Sequence, residues 1–192
     1  MGAERLEAMY RLRAEVFHER LRWDVRVEQG REHDWFDLLG PRYVLLESQG
    51  RPGRVLGCCR LLPSLGPNML RDIFPGLLDG KPCPADRKVW EVSRFAMSRI
   101  DGPCAFGMRH ASATLVSELL HYAASESVVD LVGVTSVGFA RLLRNLGLAV
   151  EHLGAVRRIG TVGSLAFRLP LDAANLHAVA RHHRPRHLPM VA

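Results

Sequence analysis

A glutamate and an arginine stand three residues apart in Val89-Trp90-Glu91-Val92-Ser93-Arg94-Phe95-Ala96-Met97. The other side chains of this stretch are mainly β-branched, aromatic and aliphatic, the composition of a buried strand. A carboxylate and a guanidinium in such a strand cost free energy unless each has a partner. Either the two charges order the core as buried ion pairs, or the strand floors a polar active site. Regular alternation puts Glu91, Ser93 and Phe95 on one face and Trp90, Val92 and Arg94 on the other. A bulge is then needed to aim both charges into one cleft. More charges occupy apolar settings. Arg13 lies beside an apolar helical stripe, Arg60 sits inside a strand, and Asp34 and Asp37 flank Trp35 and Phe36. Arg13, Arg60 and Arg94 balance Asp34, Asp37 and Glu91, so an internal lattice of ion pairs and a ligand pocket are both consistent with the pattern.

The elements that must position these groups follow from periodicity. Residues 4–22 predict an amphipathic helix, with Leu6, Met9, Tyr10, Val16, Phe17 and Leu21 at three- and four-residue steps. Arg13 and Phe17, four apart, share a face. Residues 24–40 predict a long loop, and a loop of that length in a compact domain is usually functional or mobile. Strands are expected at 42–47 and 55–62 around a Gly50-Arg51-Pro52-Gly53 turn. A short helix follows near 69–74, bounded by Pro67 and Pro75. After the 89–97 strand come a long helix over 105–127, a short strand over 130–135 and a helix over 137–145 that stops at Gly147. Strands near 150–153 and 164–170 and a helix near 172–180 complete the series. This order predicts one α/β domain over residues 1–192, with a mixed sheet between helices in a three-layer αβα sandwich. Ligands in such sheets favour the crevice where neighbouring strands part.

The totals narrow the class. The chain has 192 residues, 47% hydrophobic and 24% charged, which is globular rather than disordered. No apolar run is long enough to span a bilayer, and the charged start Met-Gly-Ala-Glu-Arg-Leu-Glu lacks a signal-peptide core. The expected compartment is the cytoplasm. Its reducing conditions keep Cys58, Cys59, Cys83 and Cys104, which show no CxxC spacing, as free thiols. A net charge of +6 favours acidic partners. Part of it comes from a basic tail over residues 181–192, expected to be solvated and flexible. No acidic or cysteine ligand accompanies its histidines, so no metal site is read there. No recognition helix or RNP-type pattern points to nucleic acid.

The set Arg13-x3-Phe17-x5-Trp23-x10-Asp34-x2-Asp37, then Arg60, then Glu91-x2-Arg94, resembles the acyl-homoserine-lactone synthase family, the bacterial autoinducer synthases. The resemblance covers nearly the whole chain. It includes the blocks Arg-Ala-Glu-Val-Phe, Arg-Leu-Arg-Trp-Asp-Val, Gly-Cys-Cys-Arg-Leu-Leu, Gly-Pro-Asn-Met-Leu and Trp-Glu-Val-Ser-Arg-Phe, in that order. It implies a fold similar to the GCN5-type N-acetyltransferases. It also implies S-adenosylmethionine as a substrate rather than a cofactor, and an acyl thioester on acyl-carrier protein or coenzyme A as the donor. The products would be an acyl-homoserine lactone for quorum sensing, methylthioadenosine and the free carrier thiol. The chain begins close to the Arg13 helix, whereas members of this family usually carry an extra leading segment.

The resemblance also implies roles. Glu91 is the candidate base, directly or through a water. A free α-amino group has a pKa of about 7.7–8.0, so near pH 7 only about a tenth is neutral and deprotonation costs roughly 1–1.4 kcal/mol. Lactone closure is intramolecular and needs a held geometry more than acid or base groups. Asp34 and Arg94 join Glu91 as candidate catalytic groups. Arg13, Phe17, Trp23, Asp34, Asp37, Arg94 and Phe95 are candidates for the S-adenosylmethionine pocket. The acids would face the ammonium and sulfonium, a guanidinium would fork onto the carboxylate, and the rings would stack near the sulfonium. Arg60 is expected to be structural. Val92, Phe95, Leu115, Leu119, Val132, Gly133 and Thr135 are expected to wall an acyl tunnel. Gly133 stands where the family's 3-oxo enzymes are associated with threonine, which points toward an unsubstituted or bulkier acyl group unless Thr135 compensates. Arg141, Arg144, Arg157 and Arg158 are candidates for docking an acidic carrier. The alternative on the same fold is an acetyl-coenzyme A N-acetyltransferase. The turn that class uses to grip pyrophosphate is approached by Arg99-Ile100-Asp101-Gly102-Pro103-Cys104, but this turn ends in Cys and loses a backbone donor at Pro103.

Overall fold

The computed structural model describes residues 2–48, 50–99, 105–183 and 190–191. The chain divides into two compact units, one built from residues 1–60, 94–119 and 182–192 and the other from 61–93 and 120–181.

In the first unit, helix α1 (Ala3–Arg13) runs into a π-helical segment (Ala14–Arg20), where the sequence predicts one continuous helix. π-helical geometry is rare and is frequent at functional sites. Here it closes with the Leu21 N–H donating to Val16 O at 3.0 Å and the Trp23 N–H to Phe17 O at 2.9 Å. The segment expected as a long loop holds two further elements. Strands β1 (Val27–Glu28) and β2 (Arg31–Glu32) pair as a hairpin. Its two turn residues, Gln29 and Gly30, both take positive φ, at 52° and 75°, as a type I′ turn requires. A 3₁₀ turn follows over Trp35–Leu39. The Asp34 N–H donates to Asp37 Oδ2 at 2.8 Å, so the two aspartates form the reciprocal start of a helical turn.

Strands β3 (Arg42–Glu47) and β4 (Val55–Pro63) carry the sheet of this unit, with a short edge strand β10 (Met190–Val191) antiparallel to β3. Met9, Leu12, Val16 and Phe17 pack on Tyr43 and Leu45 of β3, Val55 and Cys58 of β4, and Ala96. Tyr43 and Leu45, two apart, point to the same face. Ala96 lies in strand β5 (Val89–Met97). Within β5, Arg94 takes φ 53°. That left-handed conformation breaks the regular pleat within the strand. Cys58 and Cys59 are free thiols, and burial pushes the Cys58 thiol up to about 12.

In the second unit the first part of β5 pairs in parallel with β6 (Asp130–Ser136), through Glu91 and Val132. β6 pairs antiparallel with β9 (Val162–Pro170), which also carries β7 (Glu151–His152) and β8 (Arg157–Ile159). Parallel and antiparallel pairing together make the sheet mixed. Leu70, Leu77, Leu78, Val89, Val132 and Ala166 form a core here. Leu70 belongs to a one-turn helix α2 (Met69–Asp72). The long helix α3 (Ala105–Ser125) gives its residues up to Leu119 to the first unit and the rest to the second. Helices α4 (Val137–Asn145) and α5 (Ala173–Val179) start at Ser136 and Asp172, whose side chains accept from Phe139 N and Asn175 N as N-caps do. Residues 100–104 of the expected pyrophosphate-type turn, and residues 184–189 and 192 of the basic tail, lie outside the described residues.

Candidate active site

The first unit gathers three arginines and three acids into one charge-balanced lattice. Arg13, fully buried, donates from Nε to Glu32 Oε2 at 2.5 Å and from Nη1 and Nη2 to Asp37 Oδ1 and Oδ2 at 2.8 and 2.9 Å. Arg60, also fully buried, donates from Nη1 to Asp34 Oδ1 at 2.5 Å and Asp37 Oδ1 at 2.8 Å, and from Nη2 to Asp34 Oδ2 at 3.1 Å. Arg94 reaches Glu32 Oε1 from Nε at 3.1 Å and from Nη2 at 3.0 Å, and its Nη2 meets Asp34 Oδ2 at 2.7 Å. Tyr43 donates its hydroxyl to Asp37 Oδ1 at 2.5 Å. Planar guanidinium forks meeting carboxylates in this way give strong, geometrically specific pairs.

The electrostatics follow from that geometry. Burial works to raise the Asp37 pKa. The Arg13 hydrogen bond, the charges of Arg13 and Arg60, and the Tyr43 hydroxyl outweigh it, and hold the carboxyl well below the usual range. Burial works to lower the Arg13 and Arg60 values, and their carboxylate partners raise both above the ordinary guanidinium value. Burial and the Asp37 charge push the Tyr43 phenol far up, so it stays a donor. Rings line the cations. Arg94 Cζ lies 5.4 Å from the Phe17 ring centre, Arg60 Cζ 5.4 Å from Phe36 and Arg13 Cζ 5.3 Å from Tyr10. Trp23 stacks on Phe17 with centroids 5.2 Å apart, yet is 41% exposed.

The structure therefore brings together Arg13, Phe17, Trp23, Asp34, Asp37, Arg60 and Arg94. It adds two residues that the sequence reading did not single out, Glu32 and Tyr43. Glu32 sits among Val27-Glu28-Gln29-Gly30-Arg31-Glu32-His33-Asp34, which reads as a solvated charged loop. The signal available was the Gln-Gly pair, whose hairpin returns the chain and turns Glu32 inward. For Tyr43, the signal was a phenol on the core face of a strand, which requires a partner.

Glu91 belongs to the second unit and is buried. Its Oε2 accepts from Met69 N at 3.0 Å and its Oε1 from Leu70 N at 2.6 Å, at the start of α2. Phe95 is half-buried in β5, and Leu115 and Leu119 are buried in α3. Val92 and Val132 are buried, and Thr135 is half-buried near the end of β6. At Gly133 a Cβ would come within 2.4 Å of Val92 O and 3.3 Å of the Phe167 ring, so the glycine is a condition of this strand spacing. Arg141 and Arg144 on α4 and Arg158 on β8 are exposed, and no ion pair among the described residues engages them. Arg157 is exposed as well and pairs with Asp79 Oδ1 at 2.6 Å.

The description "Autoinducer synthase" belongs to the family whose model matches residues 1–179. The chain belongs to the autoinducer synthase family. It is 36% identical over 168 residues to an acyl-homoserine-lactone synthase of Pseudomonas aeruginosa, covering 88% of this chain and 83% of that protein. It is 35% identical over 176 residues to an acyl-homoserine-lactone synthase of Rhizobium radiobacter, covering 91% and 82%. Among solved structures it is similar to the acyl-homoserine-lactone synthase LasI, with a TM-score of 0.85, 35% identity and coverage of 93% and 89%. TofI, solved in a ternary complex with an inhibitor and MTA, matches with a TM-score of 0.82, 28% identity and coverage of 94% and 91%. A putative N-acetyltransferase from Lactobacillus plantarum, at 13% identity and a TM-score of 0.60, shares the fold alone. The family is one of acyltransferases on an α/β, N-acetyltransferase-like fold. No helix among the described residues is long and apolar enough to cross a membrane.

Proposed function

We propose that this autoinducer synthase acylates the α-amine of S-adenosylmethionine from a thioester-borne acyl group and then closes the homoserine lactone. The amine nitrogen attacks the thioester carbon, the carbon–sulfur bond breaks, and the carrier thiol leaves with the proton given up by the amine. The methionine carboxylate then displaces methylthioadenosine from its own γ-carbon, which breaks the sulfonium carbon–sulfur bond. The observation that carries this reading is the graded exposure of the lattice. Arg13, Arg60 and Glu32 are fully buried and Asp37 is 3% exposed, while Arg94 is 8% and Asp34 18% exposed. The Asp34–Arg94 pair is thus the edge that an amino-acid zwitterion would meet. Its ammonium would turn toward Asp34 and its carboxylate toward Arg94. Trp23, seated on Phe17 but exposed, offers a ring face to the sulfonium or the adenine. Arg13, Asp37, Arg60 and Glu32 hold that edge in place, which gives the preorganisation that positioning catalysis needs.

Glu91 takes the amine proton, directly or through a water, and passes it on to the departing carrier sulfur. A carboxylate accepts about four hydrogen bonds, and two of those to Glu91 come from the α2 backbone. For the acyl chain, the proposed walls are Val92, Val132, Gly133 and Thr135 in the second unit, and Phe95, Leu115 and Leu119 in the first. The donor is a thioester on acyl-carrier protein or coenzyme A, and Arg141, Arg144 and Arg158 favour an acidic protein carrier. No further cofactor enters this chemistry. The reaction belongs in the cytoplasm, where both substrates are made.

Purified protein supplied with S-adenosylmethionine and a mixture of acyl thioesters should release methylthioadenosine and an acyl-homoserine lactone, both read by mass spectrometry. Absence of both products with every thioester offered would overturn the proposal. Glu91→Gln should lower turnover while leaving S-adenosylmethionine binding in place, with a smaller loss at higher pH. An unchanged rate at pH 7 would remove Glu91 from the base role.

A further inference from the structure

Asn68 is fully buried, and its side-chain amide and its backbone N–H are all engaged. Its Nδ2 donates to Ser64 O at 3.2 Å and to Gly66 O at 3.1 Å. Its Oδ1 accepts from Arg71 N at 3.0 Å, which caps α2. Its own N–H donates at 2.9 Å to Oδ2 of Asp72, the last residue of the same turn. One side chain thus ties the incoming loop to the first turn of a helix only four residues long. Such a turn is too short to hold its shape unaided. The two N–H groups that follow Asn68 in sequence, those of Met69 and Leu70, are the pair that grips both oxygens of Glu91. Ser64, in turn, is tied to the first residue of β5 and to the chain just before it. Its N–H donates to Val89 O at 3.0 Å and its hydroxyl to Asp86 O at 3.1 Å.

We infer that Asn68 is a positioning residue for the acylation step, which it serves by aiming the Met69 and Leu70 N–H groups at the Glu91 carboxylate. This rests on the assignment of Glu91 as base. The paired donors do two things. They fix the direction of the carboxylate, and they favour its anion, the form a base must start from. The strand alone does neither, because a glutamate side chain has rotamers to spare. The loop is therefore a cradle for the base, with Asn68 as its keystone.

The test is a double-mutant cycle on methylthioadenosine release, with Asn68→Ala, Glu91→Gln and the pair. Asn68→Ala alone should lower kcat by about ten- to a hundredfold, the scale expected when a reacting group is misplaced by about 1 Å. The acid limb of its kcat/KM profile should move up by about one pH unit as the donors loosen. KM for S-adenosylmethionine should hold. In the Glu91→Gln background the same change should add less than about twofold, because two residues acting through one group are not additive. Asn68→Ser keeps the α2 cap and a foldable loop, and should fall between the parent and Asn68→Ala in both rate and profile. Fully additive losses, or a rate loss in Asn68→Ala with an unmoved acid limb, would overturn the positioning role. An unchanged rate in Glu91→Gln would instead overturn the base assignment beneath it.

Discussion

Glu32→Gln removes one negative charge from the centre of the lattice and changes the side-chain volume little. Glu32 is fully buried, and its two oxygens take Arg13 Nε at 2.5 Å and Arg94 Nε and Nη2 at 3.1 and 3.0 Å. In the variant three guanidinium groups face two carboxylates, and an amide N–H₂ points at donors. Breaking a buried pair by removing one partner costs about 3–5 kcal/mol. With a urea m-value of about 2 kcal/mol/M, the midpoint should fall by about 1.5–2.5 M. That is a large share of a typical total stability of about 5–15 kcal/mol. The assay is equilibrium urea unfolding followed by far-UV circular dichroism, with m compared between variants. Restoring charge balance with Arg94→Gln in the same chain should recover part of the loss, because two cations then face two anions. A Glu32→Gln midpoint within about 0.3 M of the parent, or a double variant less stable than the single one, would refute the claim that charge balance holds the lattice together.

Three more outcomes follow from the same geometry. The native Asp37 pKa lies below its unfolded value, so its contribution is present above about pH 4 and is lost as pH falls through the native value; stability measured from pH 7 to 2 should drop in acid, and a flat profile would contradict the assignment. Gly133→Ala puts a Cβ within 2.4 Å of the Val92 carbonyl, and should cost about 1–3 kcal/mol, read by calorimetry as a melting temperature lower by about 3–10 °C. Arg141→Glu with Arg144→Glu should raise KM about tenfold for a protein-borne acyl group and leave KM for an acyl-coenzyme A donor unchanged; an equal loss with both donors would argue against a docking surface there.

The elements with strong periodicity were legible from residues alone. β3, β4, β5, β6 and α4 fall within a residue of their expected bounds, because each carries its own pattern of apolar positions. Elements held by turn chemistry or by pairing were not. The β1–β2 hairpin depends on positive φ at Gln29 as well as Gly30, and Gln is an unusual choice for that conformation. The π-helical segment over 14–20 has the composition of an ordinary helix, and its widened turn is a backbone arrangement that apolar periodicity does not encode. β8 and β10 are short edge strands, defined by the neighbour they pair with.

The candidate site divides along the same line. Residue type and spacing marked Arg13, Arg60 and Arg94 as charges in apolar settings, the family resemblance added Asp34 and Asp37, and the expense of burying a charge made partners obligatory. Which acid meets which arginine was left to the fold. Arg13 and Glu32 are 19 residues apart and Arg94 and Glu32 are 62 apart, and no local pattern encodes distances of that kind. The sequence paired Glu91 with the arginines by charge count. In the folded chain Glu32 completes that balance, and Glu91 meets the backbone N–H groups of α2. One-dimensional order determines which groups must find partners, because desolvation acts on each charge by itself. Chain reversals in three dimensions decide which partners they find.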